Sequence, residues 1–368
     1  MDDLHGCGER ARIERLRAHL SETVKLKEFD IHDLGASYTH LKRGRVLTNL
    51  GTRITPNTKY GRAATAAMAL TGCKAAPTPS VAGALRDDGE DPYLDDDKIS
   101  TYRCVTGTLA YAGIDRRDLQ FELNLLSRQM KQPRESGWAL AKRVCRYICG
   151  TEDAYVWLPR PRESDYDYGV CVLDVWSDSD WAGDRRDRRS QSSIVLEIDG
   201  CPAFGASRRQ AIIAGSSAEA EFYAAAGALS EAMLLRECLL FAGFAVETRL
   251  FMDASAGRAI CQREGVGRIR HMSVRVLWVQ QLVKRKVVQV MTTTSEGNKA
   301  DLGTKSHPKA RLCRLRIMNG IRTLGPEAEE EEQLAQDLVQ AVAEKPSATQ
   351  VLAAVAAAFL GARAERQH

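Results

Sequence analysis

A chain of 368 residues with 44% hydrophobic and 27% charged residues can bury more than one core, which excludes a disordered or fibrous protein. A formal net charge of +4 is too small for whole-molecule attraction to a polyanion, so any nucleic-acid role has to come from local patches. No apolar run approaches the roughly 20 residues of a membrane helix, and the first 20 residues are more charged than a signal peptide, so none is expected there.

Residues 9–28 read as a charged helix, followed by turn-rich chain through "TNLGTRITPN" and a Pro-, Gly- and Asp-rich stretch, "KAAPTPSVAGALRDDGEDPYLDDDKIS", expected to be a linker. From residue 102 to 150 the pattern is helical. Leu119, Leu123, Leu126 and Met130 recur at spacings of three and four, then Trp138, Val144 and Ile148 mark a second helix stopped by Gly150. The ten cysteines are scattered singly. Cys145 and Cys149, the close pair, lie on one helix face with no second pair to complete a zinc site, so the thiols are read as reduced and intracellular.

After Gly150 the period changes. "YGVCVLDVWSD", "SSIVLEIDG", "CPAFGAS" and "AIIAG" predict an antiparallel meander of three or four strands. A long helix over 217–242 follows, capped by Ser216 or Ser217 and closed by Gly243. "TRLFMD" predicts a strand, "ASAGRAICQRE" and "SVRVLWVQQLVKR" helices, "KVVQVMTT" a strand, and "NKADLGTK" the opening of a last helix. The order is β-β-β-α-β-α-β-α. Beyond Gly325 the composition shifts to an acidic stretch and an Ala-rich end, expected to be a linker and an appended helix.

Four acids sit where strands or helices turn toward solvent: Asp178, Glu221, Asp253 and Asp301, separated by 43, 32 and 48 residues. Only a fold can bring them together, and carboxylates gathered at strand ends suit a hard cation such as Mg²⁺. Two such ions about 3.5 to 4 Å apart can activate water and stabilise the leaving oxygen in phosphodiester hydrolysis. Asp178 and Asp180 share a strand face by period 2, so either can be the ligand. Glu219 and Glu221 lie about 200° apart on a helix, so one of them faces the sheet. Glu221 shares its face with Ala225, Ala228 and Ala232, which leaves Glu219 as the solvated one.

These motifs resemble the ribonuclease H domain of copia-type retrotransposon Pol polyproteins. "SDSDWAGDRRDRRSQSS", "SSAEAEFYAAAGALSEAMLLRECLLFAGF", "FMDASAGRAI", "RIRHMSVRVLWVQQLV" and "SEGNKADLGTK" are similar to successive motifs of that domain, and residues 102–151 to the segment joining polymerase to nuclease. "MDDLHGCG" resembles the metal-binding motif of the polymerase palm, with Asp2 and Asp3 as its acids. The resemblance, covering about residues 1–320, implies a truncated reverse-transcriptase palm and thumb remnant over 1–80, a linker over 81–100, a helical connection over 101–150, and a ribonuclease H-like α/β domain with a mixed central sheet flanked by helices over 151–320, before the tail at 321–368. It carries the metal-binding acids onto Asp178, Glu221, Asp253 and Asp301, favours Asp178 over Asp180, and adds His271 as a group near the metals. It implies cleavage of the RNA strand of an RNA–DNA hybrid with two Mg²⁺ ions, Mn²⁺ being a substitute, in a chain that belongs to a larger Pol polyprotein.

Two rival readings are a catalytically silent nucleic-acid-binding remnant and an integrase-type nuclease. The latter usually ends its acid set on a helix Glu, whereas the helix Glu comes second here. No membrane partner is expected, and the expected location is the cytoplasm, with the nucleus and retroelement particles as the other compartments. Reverse-transcriptase activity is not expected, because Asp2 and Asp3 lack the third acid and the fingers. Trp181 is expected to be buried, the other reading being a stack on a base or ribose, and Arg185, Arg186, Arg188 and Arg189 to pair within their own turn with Asp184 and Asp187, or else to touch phosphates.

Overall fold

The structure, a computed structural model, describes residues 10–25, 30–85, 90–160, 170–184, 186–253, 255–265, 277–324 and 333–334. The chain divides into a unit over 1–323 and a second over 324–368. The expected acidic linker and Ala-rich helix of the second unit lie outside the described residues, apart from Leu324 and residues 333–334. So do Asp2, Asp3, Arg185 and His271.

In the first unit, helix α1 (Arg10–Thr23) buries no residue. Strands β1 (Ser37–His40), β2 (Arg43–Leu47) and β3 (Gly51–Thr55) form an antiparallel meander. This sheet is completed from far along the chain by β4 (Tyr155–Pro159), which pairs with β3, and β10 (Ile321–Arg322), which pairs with β4. Strand pairing therefore runs across the expected boundary at residue 150. Spacing along the chain carries no record of it, because the partners of β3 lie about a hundred residues downstream.

The first core is helical. Helices α2 (Lys59–Ala67), α3 (Asp96–Ala112), α4 (Gln120–Arg128) and α5 (Glu135–Gly150) enclose Tyr102, Leu109, Leu126 and Val144. Two helices were expected over 102–150 and three are present, because a 3₁₀ turn at Arg117–Leu119 ends one packing face and starts the next. The expected linker is also corrected. Leu94 is buried in this core, and the Asp91 carboxylate accepts from the Ser136 backbone N–H at 3.0 Å and from its hydroxyl at 2.5 Å, filling donor positions at the start of α5. Ala64, Met68 and Ala76 join the same core, so residues 59–76 and Leu94 are part of the packed unit.

The second sheet is built from β5 (Val170–Asp180), β6 (Gln191–Ile198), β7 (Cys201–Arg209), β8 (Ala245–Met252) and β9 (Gln289–Thr292), in the order β7-β6-β5-β8-β9. The first three strands are antiparallel, whereas β8 joins β5 and β9 joins β8 in parallel. Helix α6 (Ser217–Phe241) connects β7 to β8, and α7 (Ser255–Gln262) and α8 (Trp278–Lys284) connect β8 to β9. Ala225, Ala228 and Ala232 of α6 pack with Leu173 and Val175 of β5 and Leu250 of β8 in a second core, where small helix residues allow close approach to the sheet. The run "AIIAG" forms no strand. It makes the turn from β7 into α6, with Ile212 and Ile213 exposed. Against the other face lies a 3₁₀ turn (Lys299–Gly303), and helix α9 (Lys309–Met318) packs on that turn and on β10. This is a ribonuclease H-like α/β fold, with the mixed central sheet flanked by helices that the motifs imply. Among the described residues no helix is long and apolar enough to cross a membrane.

A buried ion network ties the helical core to α9. The Arg116 guanidinium donates to both Asp118 oxygens at 2.9 and 2.8 Å and to the Thr151 carbonyl at 3.0 Å, while the Tyr147 hydroxyl donates to Asp118 at 2.7 Å. Arg316 of α9 stands 3.7 Å from the same carboxylate. Burial alone would raise the Asp118 pKa, but the adjacent guanidinium groups hold it down to about 2. Replacing one member leaves buried charge without its partner, so Asp118→Asn is expected to cost about 3 to 5 kcal/mol in chemical denaturation. A loss below about 1 kcal/mol would show that the network does not brace the unit.

Candidate active site

The carboxyl ends of the parallel strands β5 and β8 set the geometry. Trp176 registers against Phe251, so Asp178 and Asp253 each lie two residues beyond the last paired position and come level with one another. Glu221 enters from the second turn of α6. One carboxylate oxygen from each of Asp178, Glu221 and Asp253 lies within 4.8 Å of the other two. Three of the four expected acids are thus brought together at the strand ends where open α/β sheets place their ligands.

Each acid is held by a specific donor. Thr304 Oγ1 donates to Asp178 Oδ2 at 3.1 Å. The Ser179 backbone N–H and hydroxyl both donate to Glu221 Oε1, at 3.3 and 3.1 Å. Arg258 of α7 donates to the carbonyls of Met252 at 2.7 Å and Asp253 at 2.9 Å, fixing the turn that presents Asp253. Glu221 Oε2 is buried yet takes no hydrogen bond from any described residue. A buried carboxylate oxygen without a donor is costly unless a cation completes it. Burial, reinforced by the charges of Asp253 and Asp301, pushes Asp178 up to about 7. Burial, with Asp178 and Asp253, pushes Glu221 up to about 8.

Asp301 stands apart from this trio. It lies on the 3₁₀ turn, where Lys305 Nζ reaches its Oδ1 at 2.6 Å and Arg311 donates to its Oδ2 at 2.9 Å. Although burial opposes ionisation, these two cations bring its pKa below the usual carboxylate value. The turn sits close on the sheet because residue 303 is Gly: a Cβ there would lie 2.5 Å from Ser193 Oγ. The clamp on Asp301 was missed from sequence, although Lys305 and Arg311 at offsets of four and ten from it are the signal that carries it.

Asp180, the other acid on the same strand face, accepts from the Gln191 backbone N–H and belongs to the turn into β6. Ala182 takes a φ of 55°, and a Cβ at Gly183 would lie 1.6 Å from Asp180 Oδ2, so the small residues after the strand let that turn close. The expectation for Glu219 is corrected. It is 0% exposed, and its Oε2 accepts from the Gly215 N–H at 2.8 Å while Ser216 Oγ accepts from its own N–H at 3.2 Å. The run Ser216-Ser217-Ala218-Glu219 is a capping-box pattern, so the helix N-terminus buries this acid.

Trp181 is likewise corrected: it is 54% exposed, because the turn projects it past the sheet end, where its Nε1 donates to the Ala214 carbonyl at 3.1 Å. In the arginine turn, Arg189 lies 3.6 Å from Asp187, but Asp184 pairs with Arg128 at 3.1 Å and Arg209 at 3.5 Å. The acids of the turn therefore bind it to α4 and β7 as well as to its own arginines.

No family model matches the chain. It is 27% identical over 227 residues to the retrovirus-related Pol polyprotein from transposon RE2 of Arabidopsis thaliana, covering 61% of this chain and 15% of that protein. It is 26% identical over 226 residues to the corresponding polyprotein from transposon TNT 1-94 of Nicotiana tabacum, covering 58% and 16%. Secreted RxLR effector protein 161 of Plasmopara viticola is 32% identical over 135 residues, 36% of this chain and 90% of that one. Among solved structures, LC11-RNase H1 in complex with an RNA/DNA hybrid shares 14% identity at a TM-score of 0.26, over 36% of this chain and 93% of that chain. The strand order and the acid trio define a ribonuclease H-like nuclease-type domain. Its curated homologues include retrovirus-related Pol polyproteins of plant transposons, as a copia-type Pol fragment would have, and it spans about 15% of the length of those relatives.

The raised carboxyls have a consequence for stability. Their folded pKa values, about 7 and about 8, lie above the ordinary 3.8 and 4.5. Their contribution is therefore fully present below about pH 4 and is lost as pH rises through about 7 and 8. With a chelator present, the melting temperature is expected to fall between about pH 5 and pH 9, and Asp178→Asn to remove much of that fall. A profile unchanged by the substitution would contradict the crowding of these acids.

Proposed function

We propose that this domain is a Mg²⁺-dependent endonuclease that cuts the RNA strand of RNA–DNA hybrids. The observation that carries the reading is the trio of Asp178 and Asp253, at the ends of β5 and β8, with Glu221 of α6, whose Oε2 is buried and takes no hydrogen bond from any described residue. Oxygen-only donors at this spacing suit Mg²⁺, with Mn²⁺ as a substitute, and these three residues would hold it. When bound, the cation supplies positive charge against a phosphate and lowers the pKa of a water.

The chain's own part is positioning. Ser179 and Thr304 each occupy one oxygen of Glu221 and Asp178, which orients the remaining oxygens inward. Arg258 fixes the Asp253 turn, and the ends of β5 and β8 together with the packed helix α6 hold the three acids to the tolerance that phosphoryl chemistry needs. His271 remains a candidate for proton transfer. Similarity to Pol polyproteins supports an RNA–DNA hybrid as substrate, in which the 2′-hydroxyl marks the strand to be cut. The exposed Trp181 indole, three residues beyond Asp178, offers a stacking or ribose contact beside the acids. The rest of a Pol polyprotein is the proposed partner, and the cytoplasm, nucleus or retroelement particle the proposed location.

Cleavage of a labelled hybrid, beside single-stranded RNA and duplex DNA, tests the reading. The wild-type chain with Mg²⁺ is expected to cut only the RNA of the hybrid. Asp178→Asn, Glu221→Gln and Asp253→Asn should each lower the rate by about 100-fold or more while remaining folded, equivalent to at least about 2.7 kcal/mol of transition-state stabilisation. Hybrid binding without cleavage in the wild-type chain would favour the silent nucleic-acid-binding remnant instead.

A further inference from the structure

Both oxygens of Asp301 are taken by cationic side chains, and the two cations differ in how firmly they are held. Arg311 donates to Asp301 Oδ2 at 2.9 Å and also to the carbonyls of Ser295 and Glu296, at 2.9 and 2.8 Å, so its guanidinium is locked in place. Lys305 makes one ion pair, 2.6 Å to Oδ1, and its side chain is 59% exposed. Its backbone is nonetheless fixed beside the trio, because the preceding residue, Thr304, donates both to Asp178 Oδ2 at 3.1 Å and to the Asp301 carbonyl at 3.0 Å.

We propose that Lys305 is a tethered counter-cation: its ammonium fills the place a second divalent ion would take on Asp301 and must swing away before that ion can bind. The proposal rests on the metal reading of the trio, where the donorless oxygen of Glu221 points to a ligand. A divalent ion beside Asp301 Oδ1 would stand within a few ångströms of the ammonium, and that repulsion is strong in a partly buried site. Arg311 cannot yield without giving up its two carbonyls. Lys305 can, because its long, exposed stem can carry the charge out to a phosphate of the bound nucleic acid. The free protein would then hold one divalent ion, at Asp178, Glu221 and Asp253, and admit a second only when Lys305 leaves.

Titration with Mn²⁺, following the paramagnetic resonance signal of the free ion, tests this without substrate. The wild-type chain is expected to bind one ion, Lys305→Met two, and Lys305→Arg one, since Arg keeps the charge. Lys305→Met combined with Asp301→Asn should return to one, which assigns the second ion to Asp301. Lys305→Gln offers a second neutral variant, expected to match Lys305→Met. Two ions in the wild-type chain, or one in both neutral variants, would overturn the role of Lys305. No ion at all in the wild-type chain would overturn the metal reading itself, and the proposal with it.

Discussion

Three carboxylates held within 4.8 Å of one another, with two of them buried, repel each other and resist ionisation. The surrounding structure is what forces them together. The parallel pairing of β5 with β8 brings Asp178 and Asp253 level, and the row of alanines on α6 lets the helix sit near enough to deliver Glu221. A bulkier side chain at Ala225 or Ala228 would lift the helix from the sheet and separate the acids, so the second core and the site are one arrangement.

The helical core takes part in the same arrangement. Leu302 of the 3₁₀ turn and Leu312 and Leu315 of α9 pack into it, while Thr304 of that same segment donates to Asp178. The buried Arg116–Asp118 pair and the Ser207 hydroxyl, which donates to the Gly303 carbonyl at 2.6 Å, hold this segment from both sides. Asn298 adds a bond to the Ser177 carbonyl of β5 at 3.1 Å. The fourth acid is thus positioned by the packing of residues nearly two hundred positions upstream, and the 59–150 region supports the site as well as preceding it.

What could be read from sequence follows from the range of the interactions. Periods of 2 and 3.6, ended by turn residues and caps, are local, and they foretold β5 to β9 and α6, while the resemblance to known motifs marked the acids, three of which meet. The small-residue face of α6 identified Glu221. It did not identify the fate of Glu219, because the capping box that buries that acid competes with the simpler reading of a charged residue facing solvent. Pairings across long stretches of chain left no periodic trace. β4 and β10 join the first sheet, Asp91 caps α5, and Asp184 reaches Arg128 through contacts set only by the fold. Asp301 shows the same limit within the site: its motif marks it as an acid, while its separation from the trio depends on where Lys305 and Arg311 come to lie.

The central claim is that a divalent cation relieves the repulsion among Asp178, Glu221 and Asp253. Thermal unfolding at about pH 8 with and without Mg²⁺ measures this directly, since a ligand bound only by the folded state adds about 2.7 kcal/mol at a hundred times its Kd. The account predicts a higher melting temperature with Mg²⁺ for the wild-type chain and no such rise for Asp253→Asn. An unchanged wild-type melting temperature, or an equal rise in the variant, would contradict it.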